Sequence, residues 1–224
     1  MKKILFAITS LTLGGAERVL VDIANRLSEE YDITIFTIYS GGELELQLDP
    51  KIKVENLIKK PYSKLNEKAK KTKPLQIMLE RKKIYENIIK NDYDVEIAFL
   101  EGAPTRLLSV KNKNTKKIAW VHNDITQVFG KGIKATLKKI IDKKIYSKYD
   151  EIIFVSEDNK NKFEKIYNID CNKKVIYNYI DSDMVLNKSN EKMDIEFKKD
   201  TINFVTVSRL VDQKAIERLA NVHS

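Results

Sequence analysis

Residues 3–27 read KILFAITSLTLGGAERVLVDIANRL, and this stretch decides the fold class of the chain. Its first part, residues 4–8, is an apolar run with the length and composition of a buried strand. A turn containing Gly14 and Gly15 follows, and then apolar residues recur at helical spacing, which predicts a helix with one face on a sheet. This order predicts the first unit of an open α/β sheet, in which ligands bind at the carboxyl ends of the strands.

The glycine turn has the chemistry of a phosphate site. We expect Gly14 and Gly15 to adopt positive φ and to let the backbone come close to a ligand. Free N–H groups at the start of the helix, together with the positive end of its dipole, attract anions. A tight strand-to-helix turn without a ligand is the alternative. The fingerprint G-x-G-x-x-G is missing, which disfavours a nucleotide-cofactor enzyme of the Rossmann type.

Strand and helix patterns alternate along most of the chain. This alternation predicts βαβ crossovers, a parallel sheet and helices on both of its faces. The predicted strands cover residues 3–9, 32–38, 52–56, 94–100, 117–122, 151–155 and 173–177. The predicted helices cover residues 15–28, 75–90, 103–110, 132–148 and 157–168.

The composition is that of a folded globular chain. Of its 224 residues, 42% are hydrophobic and 33% are charged, which excludes an intrinsically disordered protein. The apolar runs have strand length, so we predict no transmembrane helix and interpret the run after Met1 as a strand rather than a signal peptide. The single Cys171 excludes an internal disulfide and fits a reducing cytoplasm.

The composition changes near the end of the chain. Residues 186–200 are polar and charged, as in a linker, and a new strand is predicted at 202–207 with a helix from about Gln213. One strand and one helix cannot bury a core of their own. We therefore interpret residues 1–183 as a first domain, residues 184–200 as a linker and residues 201–224 as the opening of a truncated second domain.

The formal net charge is +9, and most of it comes from lysine. Such a surplus favours an anionic partner, namely nucleic acid, phospholipid or a polyphosphate substrate, although a compositional bias gives the same number. The lysines cluster in residues 59–74, which we interpret as a mobile loop or a frayed helix start, and in a basic helix near 131–148. We expect the isoleucines of that helix to pack on the sheet. Its lysines are then either solvated or, with the loop, face an anionic membrane.

Two polar residues end predicted strands at one edge of the sheet. Residues 119–124 read AWVHND, and His122 leaves its strand where the ligand crevice is expected. An imidazole there can orient a hydroxyl or a polar transition state, and a structural histidine is the alternative. Glu101 ends another strand, where it either binds an acceptor hydroxyl or complements the dipole of the next helix.

A second pair of cations lies near the end of the chain. Residues 207–214 read VSRLVDQK and place Arg209 and Lys214 on either side of a predicted strand-to-helix turn. The planar fork of arginine and the point charge of lysine could clamp a diphosphate. Two ordinary surface cations are the alternative in so basic a chain.

Four segments resemble, in order, the motifs of retaining GT-B glycosyltransferases, particularly the large GT4 family. The resemblance covers nearly the whole chain, but Tyr179 and Ala215 stand where that family usually has glycine. The four segments are G-G-A-E-R at 14–18, H-N-D at 122–124, V-I-Y-N-Y-I-D at 175–181 and V-S-R-L-V-D-Q-K at 207–214.

The resemblance implies an open Rossmann-like parallel sheet, the N-terminal and acceptor-side half of a GT-B fold. It implies transfer of a sugar, with retention and without a metal or cofactor, from a nucleotide diphosphate sugar to a glycan or lipid-linked acceptor in surface polysaccharide biosynthesis. It also implies a cytoplasmic location with a peripheral membrane contact. We expect no turnover by the 224-residue chain alone, because most of the donor site lies further along in the family.

The resemblance also implies separate roles for the site residues. His122 is implied to be catalytic. The donor phosphates are implied to bind Gly14, Gly15, Arg209 and Lys214, and the acceptor to contact Glu101, Asn123 and Asp124.

A basic α/β module that binds nucleic acid without catalysis is the competing interpretation. The lysines are not interleaved with stacking aromatic side chains in the pattern of a recognisable nucleic-acid-binding module. We therefore expect no nucleic-acid partner.

Overall fold

The computed structural model describes residues 1–89, 93–127, 133–192, 200–208 and 214–223. The chain divides into two compact units, Met1–Ile180 and Asp181–Ser224. The interpretation of the second unit as the opening of a nucleotide-sugar-binding domain stays a prediction.

A parallel sheet of seven strands forms the first unit, in the order β3-β2-β1-β4-β5-β6-β7. The predicted open Rossmann-like sheet with helices on both faces is thereby confirmed. The strands are β1 (Lys3–Ile8), β2 (Asp32–Tyr39), β3 (Lys53–Ile58), β4 (Val95–Ala98), β5 (Lys116–Val121), β6 (Glu151–Phe154) and β7 (Asn172–Val175). The helices of this unit are α1 (Gly15–Leu27), α2 (Glu67–Ile88), α3 (Ala103–Leu108), α4 (Ile133–Tyr146) and α5 (Glu157–Ile166).

Each face of the sheet buries its own apolar layer. Because both faces are covered, the strands read as nearly continuous apolar runs rather than as alternating ones. On one face, α1 packs Leu20, Val21 and Ala24 against Ile4, Phe6 and Ile8 of β1. On the other face, α2, α3, α4 and α5 contribute Ile77, Leu107, Ile145 and Phe163 to a second layer.

The strand order reverses at β1, which has β2 on one side and β4 on the other. In open α/β sheets the crevice outside the carboxyl ends of the strands at such a switch point is the usual ligand site. The loops that follow β1 and β4 border this crevice, so the topology itself selects one edge of the sheet for function.

Helix α2 begins earlier than the sequence indicates. For residues 59–74 the interpretation as a loop is wrong from residue 67 onwards, whereas the alternative of a helix start is correct there, because α2 already begins at Glu67. The side chain of Asn66 caps the helix by accepting a hydrogen bond from the Ala69 N–H at 2.8 Å. Pro74 lies inside the helix, where proline removes a backbone hydrogen bond, and its presence explains why the pattern reads as a loop.

Helix α4 exposes much of its apolar side. The expectation that its isoleucines pack on the sheet is wrong for Ile140 and Ile141, which are 50% and 43% exposed, and Leu137 is 56% exposed. The helix packs through its last turn instead, where Ile145 and Tyr146 are buried. An apolar row in a lysine-rich helix therefore remains on the surface of the first unit.

The second unit differs from the prediction in two places. Helix α6 (Ser182–Ser189) occupies the start of the expected linker, and Asp181 caps it by accepting a hydrogen bond from the Met184 N–H at 2.9 Å. Residues 202–207 are not a strand, and Val207 is 95% exposed. A strand requires a neighbour for its backbone groups, and the described parts of this unit supply none. Helix α7 (Ile216–His223) follows, whereas the predicted start at Gln213 lies outside the described residues.

Candidate active site

The candidate site lies at the carboxyl ends of three adjacent strands, β1, β4 and β5. Gly14 and Gly15 follow β1, Glu101 follows β4 and His122 follows β5. Since β4 lies between the other two, the ends of β1 and β5 are two strand spacings apart, about 10 Å along the sheet edge. His122 also follows Trp120 by two residues, which places both on the face that α1 covers.

The glycine turn is open at the N-terminus of α1. Gly14 caps the helix with φ −165° and ψ 161°, an extended conformation that any residue adopts, and Gly15 has no positive φ either. The predicted positive φ is therefore wrong. A Cβ on Gly15 would meet nothing within 4 Å, and one on Gly14 would overlap the end of the flexible Glu17 side chain. Neither backbone conformation nor packing against the backbone requires these glycines. The space beside Gly15 is available to a ligand, whereas the Glu17 carboxylate occupies the space beside Gly14.

Glu101 holds the loop that carries His122. Its carboxylate accepts hydrogen bonds from the backbone N–H of His122 at 2.6 Å and of Asn123 at 2.7 Å. The side-chain amide of Asn123 donates to the same carboxylate at 2.8 Å. Burial raises the pKa of Glu101, although these hydrogen bonds act in the opposite direction. The carboxylate therefore connects the ends of β4 and β5, a role that neither sequence interpretation included, and its contact with an acceptor stays a prediction.

His122 has a half-buried side chain with a buried, unpartnered nitrogen. The ring centroid lies 4.6 Å from that of Phe99 and 6.0 Å from that of Trp120. Its Nε2 is buried and has no hydrogen-bond partner among the described residues. Burial lowers the pKa of His122 from 6.5 to about 4, so the imidazole is neutral at pH 7. A buried polar atom without a partner is costly, and a ligand oxygen would satisfy it.

Asp124 is held by groups of the protein. It accepts hydrogen bonds from the Thr126 N–H at 2.9 Å and from Lys162 Nζ at 2.8 Å. The hydrogen bond from Lys162 is the main reason why the pKa of Asp124 lies below its usual range. Asp124 thus connects the loop after β5 to α5, and its contact with an acceptor stays a prediction.

A small cleft of about 60 Å³ opens beside Glu101, between α3 and α4. Arg106 donates a hydrogen bond to Asp142 there at 3.1 Å, and its Nε is buried without a partner among the described residues. Sequence reasoning missed this pair because its members lie 36 residues apart on two different helices. No local spacing indicates such a contact.

The second pair of predicted phosphate ligands is only partly described. Lys214 lies in the second unit and is exposed, whereas Arg209 lies outside the described residues. Ala215, at a position where the resembled family usually has glycine, has a φ of 52°. Glycine adopts this left-handed conformation without the steric cost that a Cβ brings, which is a physical reason for glycine there.

No three His, Cys, Asp or Glu side chains among the described residues are grouped as ligands of a metal ion. None of the described helices is both long and apolar enough to cross a membrane.

The fold and the site define a class of protein: a Rossmann-like domain with an open helix N-terminus and a half-buried histidine at the carboxyl edge of its sheet. Residues 13–184 match the family described as Glycosyltransferase Family 4. The match covers most of the chain, and the chain therefore belongs to this family. The predicted family is confirmed, and the comparisons give no support to the nucleic-acid-binding alternative.

Two relatives illustrate the extent of the likeness. An uncharacterized glycosyltransferase of Haemophilus influenzae is 29% identical over 75% of this chain and 51% of its own length. A Campylobacter jejuni alpha-1,4-N-acetyl-D-galactosaminyltransferase, whose name includes a diNAcBac-PP-undecaprenol glycan, is 32% identical over 50% of this chain and 29% of its own length. The chain thus spans about half the length, or less, of these relatives.

Solved structures share the fold. Anabaena HepE in complex with UDP and glucose superposes with a TM-score of 0.54 and 18% identity, over 81% of this chain and 45% of that protein. At this identity the likeness concerns the fold alone.

Proposed function

We propose that this chain is the acceptor-side domain of a retaining glycosyltransferase. The full-length enzyme would transfer a sugar from a nucleotide diphosphate sugar to a glycan or lipid-linked acceptor in surface polysaccharide biosynthesis. One observation carries the proposal: an open helix N-terminus and a half-buried histidine with a buried, unpartnered Nε2 follow strands at the same edge of the sheet, beside the topological switch point.

The N-terminus of α1 supports a phosphate-bearing donor. Its first N–H groups have no side-chain cap, and the space at Gly15 is open. The carboxylate of Glu17 lies over Gly14 and has to swing aside when a phosphate binds. HepE was crystallised with UDP, which supports a nucleotide diphosphate as the donor here. Arg209 and Lys214 would then stabilise the leaving diphosphate, so the transfer needs no metal.

The neutral imidazole of His122 suits a hydrogen-bonding role. A neutral ring offers one donor and one acceptor nitrogen, so Nε2 can hold a hydroxyl of the transferred sugar or of the acceptor. Phe99 and Trp120 fix the plane of the ring, and Glu101 fixes the backbone on which it stands. Such prior positioning lowers the entropy cost of reaching the transition state.

The surface of the first unit supports an acceptor at an anionic membrane. Leu137, Ile140 and Ile141 are exposed on α4, and Leu75 and Leu79 are exposed on α2, in helices rich in lysine. Exposed apolar rows flanked by lysines are the features of helices that lie on anionic bilayers. The undecaprenol-linked glycan in the name of the Campylobacter relative supports a lipid-linked acceptor.

Titration of the 224-residue chain with UDP-glucose, followed by NMR, tests the proposal. We expect shifts at the Gly15 and Ala16 amides and at the His122 ring, while His223, the other histidine, serves as an internal control. Gly15→Ala should keep its melting temperature, since its Cβ meets nothing within 4 Å, and should bind UDP-glucose more weakly. We expect no sugar transfer, because loss of donor positioning removes many orders of magnitude in rate.

Two outcomes would contradict the proposal. The first is equal UDP-glucose affinity in the wild type and in Gly15→Ala. The second is robust sugar transfer by the 224-residue chain, which would place the donor site within the first unit.

A further inference from the structure

A larger cleft lies at the opposite edge of the sheet. It is formed by the amino ends of β4 and β5, by residues 111–115 between α3 and β5, and by Lys148 just after α4. Its volume is about 640 Å³, within the range of small-molecule sites. The candidate active site lies at the carboxyl edge, so nothing in the proposed function uses this cleft.

We propose that this amino-edge cleft binds a phosphate- or diphosphate-bearing ligand. The inference does not depend on the proposed function, because it rests on the charges and the shape of the cleft alone. Five lysines and two aspartates line the cleft: Lys111, Lys113, Lys116, Lys117, Lys148, Asp94 and Asp150.

Two of the five lysines are neutralised within the protein. Lys116 donates to Glu151 at 2.8 Å, and Lys117 donates to Glu96 at 2.6 Å. Lys111, Lys113 and Lys148 form no ion pair with any described carboxylate. These three ammonium groups are therefore the ones available to an anion.

The two aspartates of the cleft are engaged with the backbone. Asp94 accepts a hydrogen bond from the Lys3 N–H at 2.7 Å, and Asp150 accepts one from the Lys117 N–H at 2.7 Å. Asp94 thus holds the start of β1, and Asp150 holds the start of β5. The two carboxylates therefore have a structural role at this edge of the sheet. Neither has an ion pair with a lysine of the cleft among the described residues.

The cations of the cleft repel one another. Burial and the nearby charges of Arg81 and Lys111 lower the pKa of Lys148. The helix ends of α3 and α4 add partial negative charge at this edge, but only about half a charge each. A ligand phosphate between Lys111 and Lys148 would relieve the repulsion and accept charge-assisted hydrogen bonds from both.

The open shape and the separated cations favour an anion with several oxygens. Lysine binds phosphate as a point charge, so the cleft recognises the phosphate group rather than a particular base or sugar. A soluble diphosphate and a lipid headgroup that carries a phosphomonoester present the same chemistry. The experiment has one arm for each source.

Calorimetric titration of the 224-residue chain with inorganic pyrophosphate at constant ionic strength tests the soluble source. We expect saturable binding that weakens about tenfold for each lost charge-assisted hydrogen bond in Lys111→Gln and Lys148→Gln. Lys148→Arg keeps the charge and should keep most of the affinity. The matched control is Lys51→Gln with Lys165→Gln, which removes two exposed lysines that lie outside the cleft and outside α2 and α4 and should leave binding unchanged.

The second arm measures binding to vesicles of phosphatidic acid in phosphatidylcholine, against phosphatidylcholine alone. Weaker binding in Lys111→Gln/Lys148→Gln than in the control pair, in either arm, supports the site and identifies the source. Binding that this double variant leaves unchanged in both arms overturns the proposal. Equal weakening by the control pair shows non-specific attraction and overturns the proposal. Absence of binding in both arms, with a chain that melts normally, also overturns it.

Discussion

At the scale of single residues, the site depends on what surrounds each polar group rather than on its type. His122 and Glu101 both end strands, yet burial makes the first neutral at pH 7 while the second holds backbone N–H groups. Sequence reasoning identified both residues and their common edge. It could not assign Glu101 to the His122 loop, because that contact joins residues 21 positions apart.

The low pKa of His122 predicts a loss of stability in acid. Between pH 6.5 and about 4 the unfolded chain binds a proton at His122 that the folded chain does not bind, so stability falls as the pH falls through this window. The loss is at most about 3 kcal/mol. Urea unfolding at pH 7 and pH 4.5 should show a larger loss for the wild type than for His122→Gln.

The raised pKa of Glu101 has the opposite effect, because it makes the folded chain more stable as the pH falls. The comparison of the wild type with His122→Gln cancels this contribution, since both proteins contain Glu101. If the wild type and His122→Gln lose the same free energy of unfolding between the two pH values, the imidazole is not buried in its neutral form.

At the scale of elements, β4 and β5 are joined by a buried ion pair that no motif indicated. Glu96 and Lys117 belong to the paired stretches of these strands, their side chains are 0% and 4% exposed, and Lys117 Nζ lies 2.6 Å from Glu96 Oε2. Tyr85 of α2 donates to Glu96 at 2.5 Å. The charges are thus satisfied inside the sheet layer that α2 covers, where an unpaired charge would be expensive.

Removal of one partner of this pair should be more harmful than removal of both. Lys117→Met leaves the Glu96 carboxylate buried without its cation and should lower the free energy of unfolding by about 3–5 kcal/mol. The double variant Glu96→Gln/Lys117→Met should lose clearly less, because no buried charge remains. Urea unfolding of the four proteins of this double-mutant cycle measures the difference, and strictly additive losses would contradict the coupling.

At the scale of the whole molecule, charge and apolar exposure coincide on α2 and α4. The net charge of +9 follows from composition, but its meaning depends on the lysines lying beside exposed apolar side chains such as Leu79 and Ile140. A lysine near an anionic bilayer contributes about 1 kcal/mol of attraction. Several of them, with the apolar rows, give a measurable affinity that salt weakens.

Replacement of the lysines at the start of α2 should weaken binding to anionic vesicles without lowering the melting temperature. Glutamine has nearly the helix propensity of lysine, so α2 keeps its stability. Co-sedimentation with vesicles of phosphatidylglycerol in phosphatidylcholine measures the effect. The variant is Lys68, Lys70, Lys71 and Lys73→Gln, and the matched control changes Lys2, Lys51, Lys165 and Lys188, which are exposed outside α2 and α4.

Equal binding to neutral and anionic vesicles would exclude the electrostatic contribution. Equal weakening by the control set would show that the net charge matters and that the position of the lysines does not.

The sequence by itself determined the parallel α/β class, the family and the edge of the sheet that carries the site. The spacing of apolar residues and the order of strands and helices are local properties of the sequence. Parallel strands bring their carboxyl ends to one edge of the sheet, whichever strands are neighbours. The glycine turn and His122 could be placed at this edge for the same reason. Their common position required no knowledge of which side chains touch.

Only the tertiary structure decided the rest. The neutral state of His122, the hold of Glu101 on its loop, the Arg106–Asp142 and Glu96–Lys117 pairs and the amino-edge cleft join residues that are distant in the chain. Helix α4 is a case in which the sequence indicated the element but not its burial. Its apolar row indicates an amphipathic helix, but which part of the row is covered depends on where the helix meets the sheet, and that is set by long-range packing.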